Sequence, residues 1–290
     1  MTAANCPAIQ SANTTAPTIV GADMQAVSDV LNAVDTVHGL SEFYRLPDTF
    51  MWWARGKSDK QINMNSIGTA IHETNHTIDF ALWDTCYPDH YAKFFANNVF
   101  YSTELLQRQT DNYSIISETY PQGLRISTVA RPRSQRYSIY IQTAAAYGGN
   151  DFRLILDELN AYSGAAQFEV NLLSSSKYSY LYNAGDYNAG GMVDFMSFLQ
   201  YYLKSARLNH ASTYATIKSQ QNTLAFIQFS WTRAEAILAA MYPYSVANGS
   251  TQTIPLDVAR DIYSPAALAE LDAIGVTHKT AADWQSTYFK

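Results

Sequence analysis

The sequence predicts a mainly helical α+β domain with a small β-sheet. Apolar residues recur at helical spacing over several long stretches, notably 151–173 and 192–208. Shorter β-branched and aromatic runs, separated by turn residues, gather between Ser114 and Gln142. No internal repeat and no linker-like change of composition divides the 290 residues, a length sufficient for one large core. The expected organisation is one domain over 1–290. It comprises an irregular lead-in over 1–20, a part with the small sheet over 21–150, and a mainly helical part over 151–290.

The lead-in is rich in Ala, Thr, Asn and Pro. A helix is expected from Ala22 to about His38, because Met24, Val27, Val30, Leu31 and Val34 fall on one face. After Pro47, the run Phe50-Met51-Trp52-Trp53-Ala54 reads as a short strand, and Gln61-Ile62-Asn63-Met64-Asn65 alternates as a strand would. Ser66 to Trp83 reads as a helix capped by Asn65 or Ser66. A second helix is expected from His90 to Gln109. Three β-like runs follow: Ile115-Ile116, Leu124 to Val129, and Tyr137 to Ile141, spaced by Pro121-Gln122-Gly123 and an arginine-proline loop. Helices are then expected over 151–173, 192–208, 214–242 and 265–274, with a Ser/Tyr/Asn/Gly-rich loop from Ser174 to Gly191.

Composition excludes several function classes. The net charge is −6 and no basic stripe exists, so nucleic acid is not an expected partner. No apolar run reaches the roughly 18 residues of a membrane span. Charged residues make up only 15%, below the roughly 25% of an ordinary soluble domain, and 21 tyrosines carry much of the polarity. Such a surface is common in exported proteins, so a secreted or periplasmic location is expected, with a signal peptide already removed. Cys6 and Cys86 are enough for one disulfide or are two separate thiols.

The chemistry concentrates in His72-Glu73-Thr74-Asn75-His76. On a helix, positions i and i+4 share a face, so His72 and His76 project side by side and can reach one ion at the roughly 2.0–2.1 Å of a zinc bond. Glu73 flanks that pair, where it can reach a metal-bound water as general base without being a ligand. Burying two histidines beside an acid is costly unless they are paired or metallated. The bland alternative is two satisfied core histidines beside a surface acid. Asp79, on the same stripe as His72 and His76, could orient a ligand imidazole or be an ordinary solvated acid.

The motif resembles that of the zincin metallopeptidases. That resemblance implies a zincin-like fold with a small sheet and a helical C-terminal part, a Zn2+ cofactor, and hydrolysis of a protein or peptide substrate. The metzincin subgroup continues to a third His, and the deuterolysin-like subgroup to an Asp in a Gly-Thr-x-Asp setting; Thr77 to Leu82 supplies neither. The gluzincins take a Glu from a second helix. Glu158 matches best here, an acid in an apolar helical run with small residues at Ala161, Gly164, Ala165 and Ala166 that permit close helix approach. It lies further downstream than in the thermolysin-like members. Asp157, Glu169, Glu104 and Glu118 are rivals, and Glu158 could instead pair with Arg153 or Arg125. Tyr162, one turn after Glu158, is the first choice for stabilising an oxyanion, with Tyr178, Tyr180, Tyr182 and His210 behind it. The alternatives to a peptidase are a zinc amidase acting on a cell-wall or other non-protein substrate, and a non-catalytic binding protein on the same scaffold.

Overall fold

The computed structural model describes residues 22–34, 46–54, 66–83, 91–97, 99–106, 115–121, 136–142, 152–179, 188–247 and 260–284. The expected strands over 61–65 and 124–129, Arg125, Tyr180, Tyr182 and both cysteines lie outside these residues. The described chain is mainly helical with one two-stranded antiparallel sheet. Contacts group it into two compact units, 1–102 with 160–188, and 103–159 with 189–290.

The first unit begins with α1 (Ala22–Ala33) and α2 (Pro47–Ala54). The expected strand at 50–54 is corrected here to a helix. Pro47 supplies the preset φ of a first helical position, and Asp48 sits in the first turn, where the helix dipole favours an acid. Burial decides the period: Phe50, Met51 and Ala54 point inward while Trp52 is 53% exposed, a helical stripe that alternation could not produce. Helix α3 (Ile67–Ala81) carries the histidine motif and packs against α2. Ser66 stands at its N-cap position without a side-chain capping bond.

The expected helix over 90–109 is a β-hairpin, β1 (Tyr91–Ala96) and β2 (Val99–Leu106). Its aromatic and β-branched residues suit a pleated surface. Asn97 turns the chain with φ of 48°, in the left-handed region that Asn tolerates best after Gly. Strand β1 packs against α3. Further on, the short runs expected as β are helical: α4 (Ile116–Thr119) and a π-helical turn at Tyr137–Gln142. Tyr137 and Ile141 are buried while Ile139 between them is only partly so, which an alternating strand would not give.

Helix α5 (Phe152–Ser174) is one continuous element, and its residues from Asn160 onward belong to the first unit. There Ala165, Phe168 and Leu172 close a core with Val27 and Leu31 of α1, Phe50 of α2 and Ile71 of α3. The second unit is organised on α6 (Asn188–Asn209), which is buried on nearly every side from Ala189 to Ala206. A helix that is apolar around most of its surface is a core helix. Two of its buried polar residues reach neighbouring segments: Arg136 lies 3.5 Å from Asp194, and Gln200 Nε2 donates to the Ile262 carbonyl at 2.9 Å. The single helix expected over 214–242 is two, α7 (Ala211–Ser219) and α8 (Gln221–Ala247), broken where Gln220 adopts an extended ψ of 93°. Helices α9 (Pro265–Asp272) and α10 (Ala281–Trp284) complete the described chain. Among the described residues no helix is long and apolar enough to cross a membrane.

Candidate metal centre

Helix α3 is embedded on two stripes. Ile67, Ala70, Ile71, Thr74 and Ile78 form an inward apolar face, while His72, Asn75 and Asp79 are also buried, the last completely. No residue between Thr69 and Ala81 breaks the helix, so the motif keeps its i, i+4 spacing. As a result the Nε2 atoms of His72 and His76 lie 3.0 Å apart. Two ligands about 2.05 Å from a tetrahedral ion are separated by about 3.3 Å, so the pair is set near the spacing such an ion requires. The ring planes stand at 87°, which lets both lone pairs aim at one point without stacking.

Glu158 comes to the same point. The ligand atoms of His72, His76 and Glu158 all lie within 4.8 Å of one another, and among the described residues this is the group of three that could hold a metal ion. Two imidazole nitrogens and a carboxylate oxygen are the donor set of a catalytic zinc, and three protein ligands leave one position for water. His72 is almost buried, while His76 and Glu158 are partly exposed, so the group is reachable from solvent. Tyr162, one turn after Glu158, lays its ring 4.2 Å from that of His72. On the other flank Phe80, 41% exposed, stacks near-parallel on His76 at 6.0 Å. Glu73 is partly exposed beside His72.

Three of the rivals for the third ligand, Glu104, Glu118 and Glu169, have partners elsewhere. Both oxygens of Glu104 accept from the first turn of α8: Asn222 N at 2.8 Å, Thr223 N at 2.8 Å and Thr223 Oγ1 at 3.0 Å. Partial burial raises the affinity of this carboxyl for a proton, but those hydrogen bonds outweigh it and hold the pKa below the ordinary value. Burial is the largest single influence on the Glu118 carboxyl and raises its pKa, but hydrogen bonds accepted from His210 Nε2 at 2.9 Å and Asn209 Nδ2 at 2.7 Å, with the His210 charge, together hold it below the ordinary value. That pairing also occupies His210. Glu169 Oε1 accepts from the Asn188 side chain at 2.8 Å and its backbone at 3.3 Å, which caps α6. Tyr178 packs against the core of the first unit.

Asp79 does not sit in solvent. Its Oδ1 accepts from Phe95 N at 2.6 Å and its Oδ2 from Asn160 Nδ2 at 3.3 Å. These bonds run to a strand and a second helix. Asn75 and Asn160, neither singled out by the sequence, complete the arrangement. Asn75 Nδ2 donates to the Phe95 carbonyl at 2.9 Å, and Asn160 Nδ2 donates to that carbonyl at 2.8 Å and to Asn75 Oδ1 at 3.0 Å. The available signal was the same one that exposed Glu158: a polar residue inside an apolar helical run.

No protein-family model, no curated protein and no solved structure matches this chain, so its functional reading rests on the arrangement of these side chains.

Proposed function

We propose that this protein is a zinc-dependent metallopeptidase of the zincin type, with His72, His76 and Glu158 as metal ligands and Glu73 as general base. The observation that carries the reading is the meeting of the two motif histidines with Glu158, a carboxylate brought in by a separate helix far along the chain. A motif helix and a second helix bearing the acid are the two elements that the gluzincin resemblance implies.

Zinc held there would supply a polarised carbonyl and a water acidified toward neutral pH. Glu73, adjacent to His72, accepts the proton of the attacking water and returns it to the departing amine. A partly exposed carboxylate is suited to both steps because it keeps contact with the reacting face. The Tyr162 hydroxyl is a hydrogen-bond donor for the developing oxyanion, and its ring contact with His72 limits how far it can swing. Tyr162 against His72 and Phe80 against His76 give each imidazole an aromatic neighbour that limits its rotation.

The test is metal content by mass spectrometry together with cleavage of a broad peptide library, for the wild type beside Glu73→Gln. One zinc in each and cleavage by the wild type alone is the expected result. Zinc in both with no cleavage by either overturns the peptidase assignment. Absence of zinc from both after reconstitution removes the metal site itself.

A further inference from the structure

Three side chains and the backbone N–H and C=O of one strand residue form a buried polar knot in the first unit, close in sequence to the candidate metal ligands. Asn160 is 2% exposed, Asn75 3% and Asp79 0%, and all three converge on the backbone of Phe95 in β1. The Asn160 amide has two N–H groups directed at three acceptors: the Phe95 carbonyl, Asn75 Oδ1 and Asp79 Oδ2. Each is a partner that a buried amide needs, and together they join α5 to α3 and to β1 at one point.

The position of this point is what gives it consequence. Asn160 is two residues from Glu158 on α5, about 3 Å along the helix axis and on a different side of it. Asn75 immediately precedes His76, and Asp79 is three residues beyond it. Both ligand-bearing helices are therefore held within one turn of their ligands. A carboxylate standing about 6 Å from the axis moves by about 2 Å when its helix rotates by 20°, a displacement comparable to a whole zinc–oxygen bond. A hold on the far side of α5 resists that rotation, which the ligand contact alone would not.

We infer that Asn160 is a positioning residue for the metal centre, fixing through Asn75, Asp79 and the Phe95 backbone the rotation of α5 that aims Glu158 at His72 and His76. This rests on the metal reading given above. It predicts that untying the knot loosens metal binding even though none of its members is a ligand. Groups that orient metal ligands contribute about 10- to 100-fold to affinity, and Asn160, acting through helix orientation, is expected near 10-fold.

The experiment measures zinc affinity of the full chain by competition with a chromogenic chelator, and the visible absorption of the cobalt(II)-loaded protein as a signature of ligand geometry. The variants are Asn160→Ala and the milder Asp79→Asn, which keeps an acceptor for Phe95 N but sets an amide against the Asn160 amide. Asn188→Ala, which unties the far end of the same unit at Glu169, is the control for simple loss of stability. The expected result is about tenfold weaker zinc binding and an altered cobalt spectrum in either knot variant that folds, with neither change in Asn188→Ala. Unchanged affinity and spectrum in the knot variants overturn the inference while leaving the site intact. The same is true if affinity falls equally in Asn188→Ala at matched melting temperature. A wild type that binds no zinc overturns the metal reading, and the inference with it.

Discussion

Replacing Glu158 by Gln tests the third ligand through the link between binding and stability. The substitution keeps the shape of a partly exposed side chain and removes its charge. Four-ligand zinc sites bind with about 10–16 kcal/mol, or about 3 kcal/mol per ligand, so losing the carboxylate weakens binding by about 100-fold. A metal that binds only the folded state at 100 times its Kd stabilises it by about 2.7 kcal/mol. At the same free zinc, a site weakened about 100-fold retains only about 0.4 kcal/mol. The unfolding entropy of roughly 2.1 cal/mol/K per residue turns 2.7 kcal/mol into a melting shift of about 4 °C if the chain unfolds as a whole. The shift is about 10 °C if the first unit, about 130 residues, unfolds alone. For Glu158→Gln the rise is about 1 °C in either case. Differential scanning calorimetry with buffered zinc reads these shifts directly. If Glu158→Gln is stabilised as much as the wild type, the carboxylate is not a ligand, and the proximity of Glu158 to the histidines has another cause.

Two further outcomes follow from other contacts. Tyr162→Phe keeps the ring against His72 and removes only the hydroxyl, so zinc content stays at one while kcat falls about 10²- to 10³-fold, read by steady-state kinetics on a cleaved peptide; an unchanged kcat assigns the oxyanion donor elsewhere. Glu104, whose pKa is lowered in the folded state, contributes stability that is present above the ordinary carboxylate pKa of about 4.3 and is lost as pH falls through the lower folded value. Glu104→Gln is therefore less stable at neutral pH by about 1 kcal/mol, the usual worth of a helix cap, and flattens the acid limb of a urea-melting profile below about pH 5. An acid limb as steep as that of the wild type shows that the cap at α8 does not titrate with folding.

The motif helix, the long α5, α6 and α9 were legible in the sequence because each is a local pattern. Residues such as Ile67, Ala70, Ile71 and Ile78, or Ile155, Leu159 and Ala166, repeat at the period of the helix that buries them. The pairing of His72 and His76 was legible for the same reason, since helix geometry alone sets an i, i+4 contact. Glu158 could be picked out as an acid in an apolar run, but its approach to the histidines depends on how two distant helices meet. That is a property of packing and not of either segment.

The misread elements were short and apolar, where period carries little information. Phe50 to Ala54 and Tyr137 to Ile141 became helical because the core accepted residues four apart. The hairpin at 91–106 took its form from a turn at Asn97, which a helical reading of the surrounding aromatics overrode. The break between α7 and α8 has a partner that no local pattern reveals: the Glu104 carboxylate, delivered by β2, satisfies the N–H groups that a new helix start exposes. Asp79 shows the same limit inside the site. Its place in the sequence left it either orienting a histidine ring or solvated; the structure buries it, and only tertiary packing could set the Phe95 amide and Asn160 against its oxygens. Sequence by itself determined that His72 and His76 share one helix face and that Glu158 stands in an apolar helical run. Tertiary structure decided which acid comes near the histidines and which backbone groups Asp79 and Asn160 meet, because a buried polar group takes its partner from whatever backbone the packing brings within hydrogen-bond range.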